Sequence, residues 1–276
     1  MKQHPALKPG HVAVITGGAD GIGLAAAKFY QSIGMDVSIA DVNADGLEMA
    51  QTELGDVLTV NTDVSRLSSV EELRDKTYER FGRVDVLMNN AGIARPCTSW
   101  SSYETWKSVI ETNLWGVING IHSFVPSMMK QDSPGLIINT GSKQGITTPP
   151  GNPAYNVSKA GVKVATEALQ HELRGTEGCK LSAHLLVPGF TYTGMIKAVI
   201  PEQPDGAWTP EQVISFMADS LANGDFYILC PDNDTTRETD NKRMSWAMGD
   251  LIENRPPLSR WHPDYQAQFN QFMEDQ

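Results

Sequence analysis

Tyr155 and Lys159 stand four residues apart in the segment YNVSK. On a helix that spacing puts both side chains on one face. A cation beside a phenol favours the phenolate and lowers its pKa from about 10 toward neutral pH. A phenol tuned in this way can protonate a carbonyl oxygen or take the proton of a hydroxyl. Alone, such a pair is usually exposed helix surface. Ser142 lies 13 residues before Tyr155, just past the run LIINT that ends at Thr140. Its hydroxyl can therefore project from a strand end, where open α/β sheets bind their ligands. Asn113, in TNLWG, and Asn90, Ala91 and Gly92, which follow the run VDVLM and Asn89, are further polar and small residues near element ends.

A second constellation is suited to phosphate. Residues 16–23 read TGGADGIG, with Gly17, Asp20, Gly21, Ile22 and Gly23 as its candidate contacts. The segment follows a β-rich run and opens a helical pattern, the context in which such glycines let a backbone approach a pyrophosphate. The helix start beyond it offers free N–H groups and positive dipole character. Asp20 is at the same time a natural helix N-cap. Asp41 ends the next run, 24 residues after Gly17. A carboxylate there accepts bonds from a ribose diol and repels a 2′-phosphate, and Val42 beside it offers no cation to reverse that preference. These residues point to NAD rather than NADP.

The elements that must position these groups alternate. Short apolar runs at 12–16, 37–40, 57–60, 84–88, 136–139, 182–187 and 226–230 are separated by helical patterns at 21–33, 44–54, 68–81, 103–129 and 155–173. Strands without polar alternation, joined through helices, predict an α/β fold of Rossmann type, a doubly wound parallel sheet in three layers. No repeat or linker divides the chain, so residues 1–276 are expected to form a single domain with a C-terminal extension from about 231. Residues 189–206 are rich in Gly, Pro and Thr, as a mobile loop would be.

Composition narrows the partners. The formal net charge of −11 disfavours nucleic acid and anionic membranes as partners, and it serves solubility. Cys97, Cys179 and Cys230 are scattered, and neither they nor the 6 histidines have metal-ligand spacing, so no metal is expected. Free thiols fit a reducing compartment. The opening MKQHPALKPG has no apolar core of a signal peptide, and no run of 18 apolar residues occurs, so a cytoplasmic protein without a membrane span is expected.

TGGADGIG, Asp41, Asp63 with Val64, residues 89–92 (NNAG), Asn113, Ser142, YNVSK and Pro188-Gly189 resemble the short-chain dehydrogenase/reductase family in order and spacing, over residues 12–193. The resemblance implies an NAD-dependent exchange of hydride between a secondary alcohol and a ketone. It implies Tyr155 as acid and base, Lys159 on the nicotinamide ribose and beside the phenol, Ser142 holding the substrate oxygen, and Asn113 holding a water that relays protons to Lys159. Asp63 and Val64 would meet the adenine. Asn90, Ala91 and Gly92 would follow the adenosine side, Pro188, Gly189 and Thr191 would line the nicotinamide, and Thr193 would reach its carboxamide or the pyrophosphate. The resemblance further implies a small-molecule substrate and a homodimer or homotetramer assembled through the helices that hold Asn113 and Tyr155. An NAD-using epimerase or dehydratase and a non-catalytic NAD-binding sensor are the alternatives.

Two departures from the family stand out. Lys143 follows Ser142 where a small or apolar residue is usual, and it either faces solvent or meets a polar substrate. The tail beyond residue 230 is similar to extensions in members acting on bulky aromatic or alicyclic alcohols. Its Met244, Trp246, Met248 and Trp261 are expected to pack on their own domain or on a neighbouring subunit, with a substrate lid as the alternative. Pro256 and Pro257 must end any helix before them. Residues 93–100, 147–153 and 190–208 are expected to shape the substrate pocket.

Overall fold

A run such as VAVIT has apolar side chains on both sides of an extended backbone, and it is stable only when both sides are covered. In the computed structural model, which describes residues 3–197 and 199–274, seven such runs pair in parallel. They are β1 (Val12–Thr16), β2 (Asp36–Asp41), β3 (Leu58–Asn61), β4 (Val86–Asn89), β5 (Gly135–Thr140), β6 (Leu181–Val187) and β7 (Tyr227–Leu229), in the sheet order β3-β2-β1-β4-β5-β6-β7.

Alternate strand residues feed two different cores. Ala13, Ile15, Met88 and Ile138 pack with α1 (Gly21–Ser32), α2 (Ala44–Leu54) and α9 (Pro210–Asn223). Val14, Leu87 and Ile137 face the other way, onto α3 (Leu67–Phe81), α5 (Gly116–Lys130) and α7 (Pro153–Gly175). The result is the expected three-layer, doubly wound Rossmann-type sheet. The chain leaves β3 at one edge and returns beside β1 as β4, so the strand order reverses between β1 and β4. Crevices at such reversals are where these sheets bind ligands.

One expected helix is broken. The pattern over 103–129 becomes α4 (Tyr103–Ile110), a π turn over Glu111–Trp115, and α5. The Gly116 N–H reaches back five residues to the Glu111 carbonyl. Such turns insert one extra residue and cluster at functional sites. The short helices α6 (Gln144–Thr147) and α8 (Gly194–Lys197) lie in the connections after β5 and β6. The segment expected to be loose after β6 is tied at its base, where the Trp208 N–H donates to the Phe190 carbonyl and the Tyr192 N–H to the Trp208 carbonyl, both at 2.8 Å.

A buried polar chain crosses the α7 side of the sheet. Asn89 Nδ2 donates to Asn139 Oδ1 at 2.8 Å, Asn139 Nδ2 to Thr166 Oγ1 at 3.0 Å, and Thr166 Oγ1 to the Val162 carbonyl at 2.7 Å. Asn89, Asn139 and Thr166 are 2% exposed or less.

The tail forms α10 (Arg237–Ile252), two 3₁₀ turns at Ser259–Trp261 and Pro263–Tyr265, and α11 (Gln266–Glu274). α10 ends before Pro256 and Pro257, as expected. Trp246 is the centre of a small core, with the rings of Phe269 and Phe272 at 5.4 and 5.3 Å and the Arg255 guanidinium 3.9 Å from its ring centre. Its indole N–H donates to Ser259 Oγ at 2.8 Å. Met244 packs with Ile146 and Leu229 of the main body, whereas Met248 is 56% exposed. Packing on its own chain therefore accounts for Trp246 and Met244.

Candidate active site

The loops that leave the C-terminal ends of β1, β2, β4, β5 and β6 enclose a cleft of about 470 Å³. Of the residues singled out in the sequence, Gly17, Asp20, Gly21, Ile22, Asp41, Asn90, Ala91, Gly92, Thr140, Ser142, Tyr155, Lys159, Pro188, Gly189, Thr191 and Thr193 line it. Elements far apart in the chain thus bring the two constellations into one hollow.

At its inner wall, Tyr155 and Lys159 sit one turn apart near the start of α7. The Ser142 hydroxyl is hydrogen-bonded to the phenol and accepts the Gln144 N–H at 3.2 Å. Lys159 Nζ donates to the Thr140 carbonyl at 2.8 Å and lies 5.7 Å from the centre of the Tyr155 ring. Lys159, expected to lower the phenol, is not among the groups that shift it. Burial pushes the Tyr155 phenol up, and the hydrogen bond with Ser142 pulls against it. The reason is desolvation, which disfavours the phenolate more than the neighbouring groups favour it.

Lys159 is 4% exposed, and burial pushes its ammonium down to about 8 from 10.5. Between those two values the unfolded chain keeps a proton that the folded chain has released, so stability gains from rising pH in that window. Wild type should gain on a Lys159→Met variant by about 1–3 kcal/mol between pH 8 and pH 10. Urea unfolding of both proteins across that range measures the gap, and parallel curves would refute the shift.

Asn113 is held elsewhere. Its Oδ1 accepts the Ile93 N–H at 2.8 Å, and its Nδ2 donates to the Ile93 carbonyl at 2.9 Å and to Ser158 Oγ at 3.1 Å. The amide is committed to tying the loop after β4 to α7, so any relay through this residue would have to use its backbone. Gly92 is the contact point, since a Cβ there would lie 3.3 Å from Asn113 Oδ1 and 3.5 Å from Lys159 Nζ.

The glycine turn forms a cradle that side chains would fill. Gly17 has φ +66°, and a Cβ on it would stand 2.8 Å from Ala91 Cα. A Cβ on Gly23 would stand 2.0 Å from the Gly17 carbonyl oxygen, so Gly23 serves turn–helix packing and does not line the cleft. Asp20 caps α1, with Oδ1 accepting the Gly21 N–H at 2.7 Å. The Asp41 carboxylate turns back over the cradle, accepting the Ala19 N–H at 3.3 Å and the Asn43 N–H at 3.0 Å. A pyrophosphate-bearing dinucleotide fits this donor set: bare backbone at a helix N-terminus, with a carboxylate at the next strand end.

Three further residues expected at the cofactor lie outside the cleft lining. Val42 is 71% exposed. Asp63 is bonded to the Ser65 N–H and hydroxyl. Val64 is buried against Gly116.

Lys143, which the sequence places either toward solvent or toward a polar substrate, lines the cleft with its ammonium already committed to two acids. Its Nζ pairs with Asp240 of α10 at 2.7 Å and with Asp232, just after β7, at 3.3 Å. Asp232 Oδ2 also accepts the Phe190 N–H at 3.2 Å. Burial would raise the Asp232 carboxyl, but the Phe190 N–H, Lys143 and Thr235 together hold it below its ordinary value. One cation thus joins the loops after β5, β6 and β7 to the tail. Asp232 and Asp240 carried no sequence signal for this role, being 89 and 97 residues from Lys143. Ala94, Phe190, Met195 and Ile196 add apolar lining to the cleft, as expected for two of the three pocket segments. The third does not contribute; Thr147 and Thr148 face a separate groove against α10.

Residues 11–204 match the family model described as short chain dehydrogenase. The chain belongs to the short-chain dehydrogenase/reductase family. It is 30% identical over 259 residues to the 1-deoxy-11-beta-hydroxypentalenate dehydrogenase of Streptomyces exfoliatus, covering 90% of this chain and 93% of that one. It is 34% identical over 206 residues to the levodione reductase of Leifsonia aquatica, covering 70% of this chain and 75% of that one. Among solved structures, a short chain dehydrogenase/reductase from Burkholderia phymatum in complex with NAD superposes with a TM-score of 0.82 at 33% identity, covering 91% of this chain and 97% of that one. This short-chain dehydrogenase/reductase is therefore an oxidoreductase of a family that acts on small molecules. Among its described residues no helix is long and apolar enough to cross a membrane.

Proposed function

We propose that this family member interconverts a secondary alcohol and a ketone with NAD as its cofactor. The observation that carries the reading is the phenol of Tyr155, bonded to Ser142 and facing the same cleft as the glycine cradle and Asp41. Bound NAD⁺ would accept a hydride. The chain's own residues do the rest. The cradle from Gly17 to Ile22 and the start of α1 would hold the pyrophosphate, and Asp41 would take the adenosine ribose. Lys159 would hold the second ribose. Ser142 orients the substrate oxygen and donates to it as charge builds there. Tyr155 takes the hydroxyl proton in oxidation and returns it in reduction. A nearby positive charge favours the phenolate and so counters the effect of burial on Tyr155. The apolar side chains of Ala94, Phe190, Met195 and Ile196 keep water from the reacting carbon and suit an apolar substrate.

Asp41 supports NAD over NADP, and the NAD-bound relative from Burkholderia phymatum agrees with that choice. Asp41→Ala should raise the KM for NAD by about tenfold or more, the worth of hydrogen bonds to a charged group, and should improve NADP use. Initial rates with both cofactors test this, and an NADP preference in the wild type would overturn the assignment. A panel of secondary alcohols of graded bulk, followed by NADH absorbance, tests the reaction itself. Its failure across the panel would favour the epimerase or sensor readings.

The reading extends to a cytoplasmic homodimer or homotetramer. Support for assembly comes from the helices that carry the site, since Val157 and Val164 on α7 and Trp115 in the π turn are 49%, 61% and 51% exposed.

A further inference from the structure

We propose a second binding site, separate from the catalytic cleft, for a small organic anion with an apolar body. It occupies the groove between α10 and the segment that follows Ser142. The groove has a volume of about 710 Å³, with Ile146 on one side and Met244, Met248, Leu251 and Trp261 on the other. Its lining carries three guanidiniums, Arg243, Arg255 and Arg260, against the single carboxylate of Asp250. A chain with a net charge of −11 thus holds a cationic hollow.

Arg255 is already paired, with Asp250 at 3.0 Å and Glu253 at 3.5 Å. Among the described residues neither Arg243 nor Arg260 has a carboxylate at ion-pair distance. Arg243 donates to Thr235 Oγ1 at 3.3 Å, and its Nε is buried with no partner. Arg260 lies 4.9 Å from the ring centre of Trp261 and 5.3 Å from that of Phe269. Asp240 is the acid that acts on Arg260, but Lys143 holds it at 2.7 Å. Two half-buried like charges without counter-ions are costly, and an incoming anion relieves that cost. Guanidiniums take planar oxyanions such as carboxylates through paired N–H donors.

A hollow of about 60 Å³ adjoins the groove, where Lys143, Arg243 and Arg260 outnumber the single carboxylate of Asp240, itself paired with Lys143, between Leu229 and Met244. It suits a head group, and the apolar walls of the groove suit the body. The groove lining shares no residue with the catalytic cleft and the small hollow shares Lys143 alone, so the site stands whether or not the proposed reaction does.

The test is calorimetry on the full chain with decanoate, and with decanol as its neutral match. Saturable binding of one decanoate per chain is expected, weakened by salt and at least tenfold by Arg243→Gln or Arg260→Gln. Decanol should bind weakly and equally to all three proteins. Arg243→Lys and Arg260→Lys keep the charge and should retain part of the affinity, which separates loss of the site from loss of the fold. NAD titrations should be unchanged in every variant. Absent or unsaturable decanoate binding would overturn the proposal, as would equal affinity for decanol or indifference to the arginine variants. So would dissociation of an oligomer by Arg243→Gln, which would make the groove a subunit contact.

Discussion

Tyr155→Phe should reduce turnover by about a thousandfold, the scale of a positioned acid or base, while the affinity for NAD stays within about twofold of wild type, since one neutral side-chain contact contributes little to a large ligand. The substitution removes one oxygen and keeps the ring, so the packing at the start of α7 survives. What disappears is the proton partner bonded to Ser142. The residual rate should also lose the rise with pH expected of the wild type in the oxidation direction as the phenolate forms. Stopped-flow NADH formation with a secondary alcohol, beside a direct titration of NAD, separates the two effects. A variant that keeps a tenth of the wild-type turnover would remove Tyr155 from the chemistry.

Lys143→Met should cost about 2–4 kcal/mol of stability, somewhat below the full penalty for breaking a buried pair because the lysine is not fully enclosed. The side chains of Asp232 and Asp240 are only 8% and 7% exposed, against 20% for Lys143. Without the cation, two nearly buried carboxylates remain with weak compensation. Asp232 would keep the Phe190 N–H, whereas Asp240 would lose its ion pair. The double variant Lys143→Met/Asp240→Asn should therefore recover part of the loss. Because the cation ties the residue beside Ser142 to the loop that follows Pro188, kcat should fall as well. Urea melts and initial rates of the single and double variants measure both effects. A loss below about 0.5 kcal/mol, the size of a surface change, would mean that the cluster adds nothing net.

The legible and illegible parts of this molecule differ in range. The alternation of apolar runs and helical patterns is local, so the sheet and its layers could be read directly. The same holds for Tyr155, Lys159 and Ser142, whose relation is set by one helix turn and one short connection. The π turn was not legible, because the extra residue at 111–115 leaves the apolar spacing of 103–129 nearly intact. The partners of Lys143 were hidden for a different reason. Asp232 and Asp240 read as ordinary solvated acids in a polar tail, and only the return of α10 onto α6 brings them to the site. Pro256 and Pro257 marked the end of α10 correctly, but nothing near them announced that Trp246 would find Ser259 and Phe269.

The chain of amides from Asn89 through Asn139 to Thr166 has a consequence for Tyr155. An α-helix turns by about 100° per residue, so a small roll of α7 would sweep both Tyr155 and Lys159 away from the cleft. Apolar contacts alone resist rolling weakly, since one methyl can replace another. A directional bond from the floor of the sheet to Thr166, seven residues beyond Lys159 on the same helix, does not tolerate that exchange. The sheet thereby sets the azimuth of the helix, and the aim of the phenol is fixed from below, about three turns away from the reacting atoms.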